Sequence, residues 1–275
     1  MANNQLLAVL ASRALIAVSG PDWRHFLQGL LTQDVETLAP GELRFAALLT
    51  PQGRLLYDMF VAGREDGCWL EVEAAKLPAI VQRLSLYRLR AKVEIAADET
   101  PVAALFGGEA APEGWFRDPR LPALGWRGYG AAAPADAQAA SEADYEAHRL
   151  ALGVPGPADW GSEKTYPIEA GFDLMDGIDF KKGCFVGQET TSRMKRRGQI
   201  KTRMLPIAFD GPAPAPGAEI LAGSLRAGEV LSGQDGRAMA LVRLDRALGA
   251  ELTVEGRPVR VETPDWMASA ISESA

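Results

Sequence analysis

The alternation of hydrophobic and polar residues predicts short strands mixed with a few helices in the first 150 residues. Apolar residues between Trp23 and Leu31 recur at helical spacing, and two further helices are expected over 75–88 and 142–152. Two apolar runs joined by the turn at 51–54 form a predicted β-hairpin. The predicted strands in this part of the chain are 14–19, 44–50, 55–63, 68–74 and 91–97. Because they cluster in antiparallel hairpins, the pattern favours an α+β fold over a doubly wound sheet.

From about residue 204 the pattern changes to short strands separated by glycine turns. Such a series is typical of a small β-barrel or sandwich that folds as its own domain. We therefore predict two domains, an α+β body over residues 1–203 and a C-terminal β-barrel over residues 204–275.

Composition and charge restrict the classes of function. Hydrophobic residues make up 47% of the 275-residue chain, which is enough for a substantial core. The net charge of −7 argues against a protein whose whole surface binds nucleic acid, so any site for a polyanion has to be a local basic patch. Two cysteines cannot form a disulfide framework or a four-cysteine metal site, and we predict no metal site.

The chain carries no apolar stretch near the ~20 residues that span a bilayer. Its first 15 residues lack the basic start of a secretory signal. We therefore expect no association with a membrane, and a cytoplasmic location is the default expectation.

The segment 181–189, KKGCFVGQE, is the most informative in the sequence. Cys184 lies between two glycines, just before a predicted helix and after two lysines. A helix dipole and nearby cations both favour a thiolate, so a reactive thiol is one interpretation. The other is a small buried hydrophobic residue, and the residues alone leave the two equally open. Cys68, in an alternating strand beside Trp69, is predicted to lie in the core.

A basic run follows this segment in an otherwise acidic chain. One interpretation is a site for an anion, either a phosphate backbone or a polycarboxylate tail. The alternative is a solvated helix end, where the dipole favours cations. We favour the anion site because the run continues beyond the predicted helix. Its members are Arg193, Lys195, Arg196, Arg197, Lys201 and Arg203.

Asp58 follows the predicted hairpin turn and interrupts an apolar strand. Strict alternation places it on the same face as Leu56 and Phe60, where a buried carboxylate is unfavourable. Functional acids often occupy such positions, and a hydrogen-bonded structural aspartate is an equally good interpretation.

The octapeptide KGCFVGQE resembles the signature of the YgfZ-type folate-binding proteins, a family that includes a mitochondrial iron–sulfur assembly factor. This family is in turn similar to the T-protein, the aminomethyltransferase of the glycine cleavage system. Weaker matches occur in the same order along the chain, at 26–35, 48–61 and 166–207.

The resemblance implies a tetrahydrofolate-binding α+β body around a central channel, followed by a small β-barrel. It also implies support for the maturation or repair of iron–sulfur enzymes, especially four-iron enzymes, with partners among assembly or client proteins and indirect effects on tRNA modification. The pterin is expected near Asp58, and the basic run, with Arg193 and Arg203, suits an anionic folate tail, a tRNA or a protein. The motif residues carried over are Lys182, Gly183, Cys184, Gly187, Gln188 and Glu189.

Two departures from the T-protein pattern set the expected chemistry. The T-protein carries two adjacent aspartates where this chain has Tyr57 and Asp58, and it has no cysteine at the position of Cys184. Both favour the iron–sulfur branch of the resemblance, with Cys184 and Asp58 as the candidate reactive residues. The alternative is a folate-dependent aminomethyl- or methyltransferase that acts on a small amine.

Overall fold

The computed structural model describes residues 5–108, 111–161, 163–198 and 200–272. The chain forms two compact units, and each is discontinuous in sequence. The first comprises Met1–Tyr145 and Met175–Gln188, and the second comprises Glu146–Leu174 and Glu189–Ala275. The predicted division at 203/204 groups 146–174 and 189–203 with the first unit, whereas compactness groups them with the second. The hydrophobic pattern does not reveal that the chain returns to the first unit at Met175 and to the second unit at Glu189.

The first unit contains two five-stranded sheets. Its strands are β1 (Leu6–Val9), β2 (Arg13–Ser19), β3 (Leu43–Leu49), β4 (Leu55–Arg64), β5 (Gly67–Glu73), β6 (Glu94–Asp98), β7 (Val102–Phe106), β8 (Phe116–Arg117), β9 (Trp126–Tyr129) and β10 (Gln138–Ala140). Its helices are α1 (Trp23–Gln28) and α2 (Leu77–Arg88), and α3 (Glu142–Ala151) begins at its end. One sheet has the order β3-β4-β5-β2-β6 and the other β10-β1-β7-β9-β8. The predicted hairpin is confirmed as β3 and β4, which pair antiparallel.

The β3-β4-β5-β2-β6 sheet buries apolar residues against helices on one of its faces. Ile16 and Val18 of β2 belong to a cluster with Leu27 of α1 and with Ile80 and Leu84 of α2. Their alternate positions follow from the two-residue period of a strand. Cys68 belongs to the same cluster and is buried, so its predicted core position is confirmed.

Polar side chains join the two sheets of the first unit on the opposite face. The carboxylate of Glu71 on β5 accepts from Arg127 Nη1 of β9 at 2.7 Å, from Tyr129 Oη at 2.9 Å and from Arg13 Nε at 2.8 Å. Asp58 Oδ2 lies 3.1 Å from Arg13 Nη2. Burial opposes the charge on Arg13, but the carboxylates of Asp58 and Glu71 outweigh it and raise the pKa of Arg13.

A third carboxylate, that of Asp118, extends this network. Asp118 pairs with Arg120 at 2.8 Å and with Arg127 at 3.3 Å, and both guanidinium groups donate to Tyr145 Oη. All these side chains are almost fully buried, so their charges are shielded little by solvent. Three arginines therefore face three carboxylates in one buried group, consisting of Arg13, Arg120, Arg127, Asp58, Glu71 and Asp118.

The second unit contains a closed six-stranded barrel of order β11-β14-β13-β12-β15-β16. Its strands are β11 (Thr202–Ala208), β12 (Glu219–Ala222), β13 (Leu225–Gln234), β14 (Arg237–Arg243), β15 (Leu252–Val254) and β16 (Arg257–Val261). The remaining helices are α4 (Pro157–Trp160), α5 (Gln188–Arg197), α6 (Leu244–Ala247) and α7 (Asp265–Ser272). Pairing of β11 with β16 closes the barrel, which confirms the predicted C-terminal β-barrel and the α+β class.

Among the described residues, none of the helices combines the length and the hydrophobicity needed to cross a bilayer.

The buried network predicts a large effect of Glu71→Gln on stability. The substitution keeps the volume but leaves Arg13 and Arg127 facing one charge fewer, and breaking a buried pair costs about 3–5 kcal/mol. We expect the free energy of unfolding in urea to fall by that amount. Glu94→Gln, the same change on an exposed residue of the same sheet, should change it by no more than about 0.5 kcal/mol. Equal effects of the two substitutions would contradict the role assigned to Glu71.

Candidate functional site

The motif segment 182–188 lies in the first unit, in a loop that leads into α5. Cys184 is exposed on this loop, four residues before α5 begins at Gln188. Of the two interpretations of Cys184, the small buried hydrophobic residue is therefore wrong. The thiol lies at the surface, where a partner or reagent can reach it.

Lys182 holds this loop through the backbone of another segment. Its ammonium donates to the carbonyl oxygens of Gln28 at 2.7 Å, Leu31 at 2.6 Å and Gln33 at 2.9 Å. Three donors thus meet three carbonyls at the end of α1, which uses the full donor capacity of a lysine. Burial lowers the pKa of Lys182 to about 8, although Asp34 and Asp179 act in the opposite direction. Through these three hydrogen bonds the ammonium group of Lys182 holds the motif loop in place.

Asp179 shapes the turn that precedes the motif. Its Oδ1 accepts from the backbone N–H of Lys181 at 2.7 Å and of Lys182 at 3.2 Å, as aspartates do at the start of turns. Its own N–H donates to the carbonyl of Thr32 at 3.0 Å. Asp179 is not among the site residues predicted from the sequence, although an aspartate two residues before a lysine pair is a recognisable turn signal.

Gly187 fits against the turn between β3 and β4. It has φ +82°, and a Cβ built on it would lie 2.6 Å from the carbonyl oxygen of Thr50 and 3.0 Å from Gly53 Cα. Both the left-handed backbone and the close approach require glycine. The neighbouring Val186 N–H donates to the carbonyl of Gly29 at 3.2 Å. The motif loop is therefore fixed on both sides of Cys184, by Lys182 before it and by Gly187 after it.

Asp58, the predicted pterin contact, is buried and paired with Arg13 in the network between the sheets. It shares its face with Phe60, since the Arg13 guanidinium also lies 5.9 Å from the Phe60 ring. Leu56 belongs to the cluster on the helix side, because the β3–β4 register shifts between Leu48 and Leu49. This environment matches the structural interpretation of Asp58, and its role as a reactive acid stays a prediction.

The basic run divides between two environments of the second unit. Arg203 lies in β11, is buried, and pairs with Asp173 at 2.6 Å. Arg193 is exposed on α5, whereas Lys195 lies 3.8 Å from Asp173. Arg203 is therefore not part of the cationic surface, whereas Arg196, Arg197 and Lys201 are exposed as Arg193 is. The predicted binding roles of Arg193 and Arg203 stay predictions, as do those of Gly183, Gln188 and Glu189.

Over the part of the chain that the structure describes, no three histidine, cysteine or acidic side chains lie close enough together to hold a metal ion.

The close approach of Gly187 predicts contrasting effects of two glycine substitutions. Gly187→Ala adds a Cβ that clashes with Thr50 and favours the wrong backbone region, so we expect it to lower the free energy of unfolding by about 2–4 kcal/mol. Gly183→Ala serves as the control, because its Cβ meets no atom within 4 Å. Its unfolding midpoint in urea should match that of the wild type. A wild-type unfolding midpoint for Gly187→Ala would contradict the close packing of the motif loop against the β3–β4 turn.

A scan of family models matches the C-terminal β-barrel domain of CAF17 to residues 201–269. Among solved structures, the chain is similar to the glycine cleavage system aminomethyltransferase T from Bartonella henselae, with a TM-score of 0.77 and 18% identity. That likeness covers 96% of this chain and 86% of the other and shows a shared fold. It confirms the predicted T-protein-like architecture of sheets, helices and C-terminal barrel.

Three relatives have a higher sequence identity to this chain than the aminomethyltransferase has. The mitochondrial iron–sulfur cluster assembly factor IBA57 is 32% identical in Mus musculus, over 95% of this chain and 85% of the relative. The Homo sapiens protein is 31% identical, over 94% of this chain and 84% of the relative. The homologue from Mycosarcoma maydis is 35% identical over 78% of this chain, which spans 60% of that relative's length.

These relatives also correct the expected location. All three are named as mitochondrial proteins, which contradicts the cytoplasmic location expected from the sequence. Their identity and coverage confirm the family that the motif at 182–189 indicated. The chain belongs to the family of the iron–sulfur cluster assembly factor IBA57, a relative of the YgfZ-type proteins.

Proposed function

We propose that this chain acts in iron–sulfur cluster assembly and that Cys184 is the residue through which it handles its cargo. The observation that carries the proposal is the exposed thiol of Cys184 on a loop fixed by Lys182 and Gly187. A fixed loop presents the sulfur in one orientation, which favours its use as a ligand. The family name supports the same process, since its members are called iron–sulfur cluster assembly factors.

The cysteine count limits how a cluster can be held. Clusters with two or four irons are usually bound by four cysteine thiolates. This chain has two cysteines, and Cys68 is buried, with its pKa raised by burial. Cys184 therefore supplies at most one ligand, and the others come from a partner, a second copy of the chain or a small thiol. The cluster is a transient cargo under this proposal, and maturation of four-iron enzymes is its expected outcome.

Tetrahydrofolate is the proposed ligand, on the basis of the motif resemblance at 182–189. The residues predicted to contact tetrahydrofolate fit this ligand only in part. Asp58 does not offer a free carboxylate to a pterin, because it is buried and paired with Arg13. Arg193 does offer an exposed cation to an anionic tail. We derive no chemical step through folate, and we propose that any effect on tRNA modification is indirect, through iron–sulfur enzymes.

The aminomethyltransferase alternative receives less support from the site. Proton transfer requires a carboxylate within reach of the substrate, whereas Asp58 lies within the buried arginine network. The structural likeness to an aminomethyltransferase concerns the fold alone.

Complementation tests the role of Cys184. In a strain that lacks this gene, we expect loss of aconitase activity, a four-iron readout, beside an unchanged iron–sulfur-free enzyme. The wild type and Cys68→Ala should restore aconitase, whereas Cys184→Ala should not. Cys68→Ala is the matched control because it removes the other, buried thiol.

The thiol count shows whether these variants are folded. Without denaturant, wild type and Cys68→Ala should each expose one reactive thiol and Cys184→Ala none. Full rescue of aconitase by a folded Cys184→Ala protein would rule out the proposed role of the cysteine.

Calorimetric titration with tetrahydrofolate tests the ligand. We expect saturable binding to the wild type and about tenfold weaker binding to Arg193→Ala, the loss of one charge-assisted contact. Arg260→Ala, at an exposed arginine of β16, should bind as the wild type does. Absence of heat with the wild type would remove folate from the proposal, and equal losses in both variants would remove Arg193 from the site.

A further inference from the structure

The segment 74–93 is a second basic region, separate from the run at 193–203. It contains five cations and not one acidic residue, in a chain whose net charge is −7. In the described part of the chain, none of the five takes part in an ion pair. The five are Lys76, Arg83, Arg88, Arg90 and Lys92.

Two leucines protrude beside the last three of these cations. Leu86 is 72% exposed and Leu89 is 88% exposed, although Leu84 on the same helix is fully buried. Leu86 lies in the last turn of α2, and Leu89 follows directly after the helix. We call Leu86, Arg88, Leu89, Arg90 and Lys92 the α2 tip.

The backbone at Leu89 is strained. Leu89 follows the last residue of α2 with φ 44° and ψ −104°. Of the described residues other than glycine with positive φ, it is the one with an apolar side chain. Such a conformation costs about 1–3 kcal/mol in a bulky residue, and the exposed side chain recovers little of it within the monomer. A glycine would fit this position better, so local backbone preference does not account for the leucine.

We propose that the α2 tip docks onto an acidic surface of a partner protein in iron–sulfur cluster assembly. The proposal rests on the proposed function. Two apolar residues surrounded by cations match a small apolar interface centre with a charged rim. Because the chain is acidic overall, a local cationic surface lets it approach a partner that carries carboxylates.

A bilayer surface fits these observations less well. A helix that lies in the membrane interface exposes an apolar face along its length. In α2 that face is already buried, since Ile80 and Leu84 belong to the core of the first unit. The large apolar side chains that are exposed in the described residues of this segment are Leu86 and Leu89, which is too few for a helix face that lies in a bilayer.

Two variants test the α2 tip in the deletion strain. Leu89→Gly relieves the strained backbone, so its melting temperature should equal or exceed that of the wild type. Arg88→Glu/Arg90→Glu reverses the charge at exposed positions. We expect both to lower restored aconitase activity about tenfold while Cys184 stays reactive, and Val9→Thr, which removes another exposed apolar group, should restore it fully. Full rescue by both α2-tip variants would overturn the proposal.

Photocrosslinking identifies the molecule that binds the α2 tip. A benzophenone amino acid at position 86 should form an adduct with an acidic protein, and the same group at position 9 should not. The adduct should disappear when Arg88→Glu/Arg90→Glu is added. An adduct that survives charge reversal, or one formed only with lipid or with a second copy of this chain, would overturn the proposal.

The Cys184→Ala strain separates the two hypotheses. If α2-tip variants fail while Cys184→Ala rescues, the docking surface stands and the cysteine role does not. If Cys184→Ala fails while the α2-tip variants rescue, the proposed function stands and the docking surface does not.

Discussion

The first unit depends on one fully buried carboxylate. Glu71 on β5 is shared by Arg13 of its own sheet and by Arg127 and Tyr129 of the facing sheet. Burial and the Glu71 charge raise the pKa of Tyr129 well above its usual value, so the phenol keeps its proton and donates it. A sliding movement of one sheet on the other would leave a charge buried without a partner, which is far less favourable than moving apolar residues. The network therefore fixes the register between the sheets.

The motif loop is fixed by the same means, with backbone carbonyls in place of carboxylates. Lys182 donates to three carbonyls at the end of α1, and Asp179 accepts from the backbone of the motif itself. A lysine beside a cysteine suggests activation of the thiol, yet here the ammonium is bound elsewhere. The residues around Cys184 therefore act mainly by position, and the exposed sulfur is what the loop presents.

The parts of this structure that depend on local patterns could be predicted from the sequence. The β3–β4 hairpin, the C-terminal barrel and the motif at 182–189 each follow from residues close together in the chain. The contacts of Lys182 could not be found in this way, because its partners lie about 150 residues earlier. The surroundings of Asp58 depend equally on a distant partner, Arg13, and strict alternation placed Leu56 on the wrong face because it cannot anticipate a register shift.

Under the proposed function, the placement of Asp58 explains how one fold can serve different chemistry. The chain shares its architecture with an aminomethyltransferase at 18% identity, a level at which site residues are free to change. Here Arg13 neutralises the one acidic residue left in that strand, and burial keeps water from competing for it. A carboxylate held in this way contributes to the stability of the sheets. The exposed group with distinctive chemistry is then the Cys184 thiol, which is the ligand type that iron–sulfur clusters prefer.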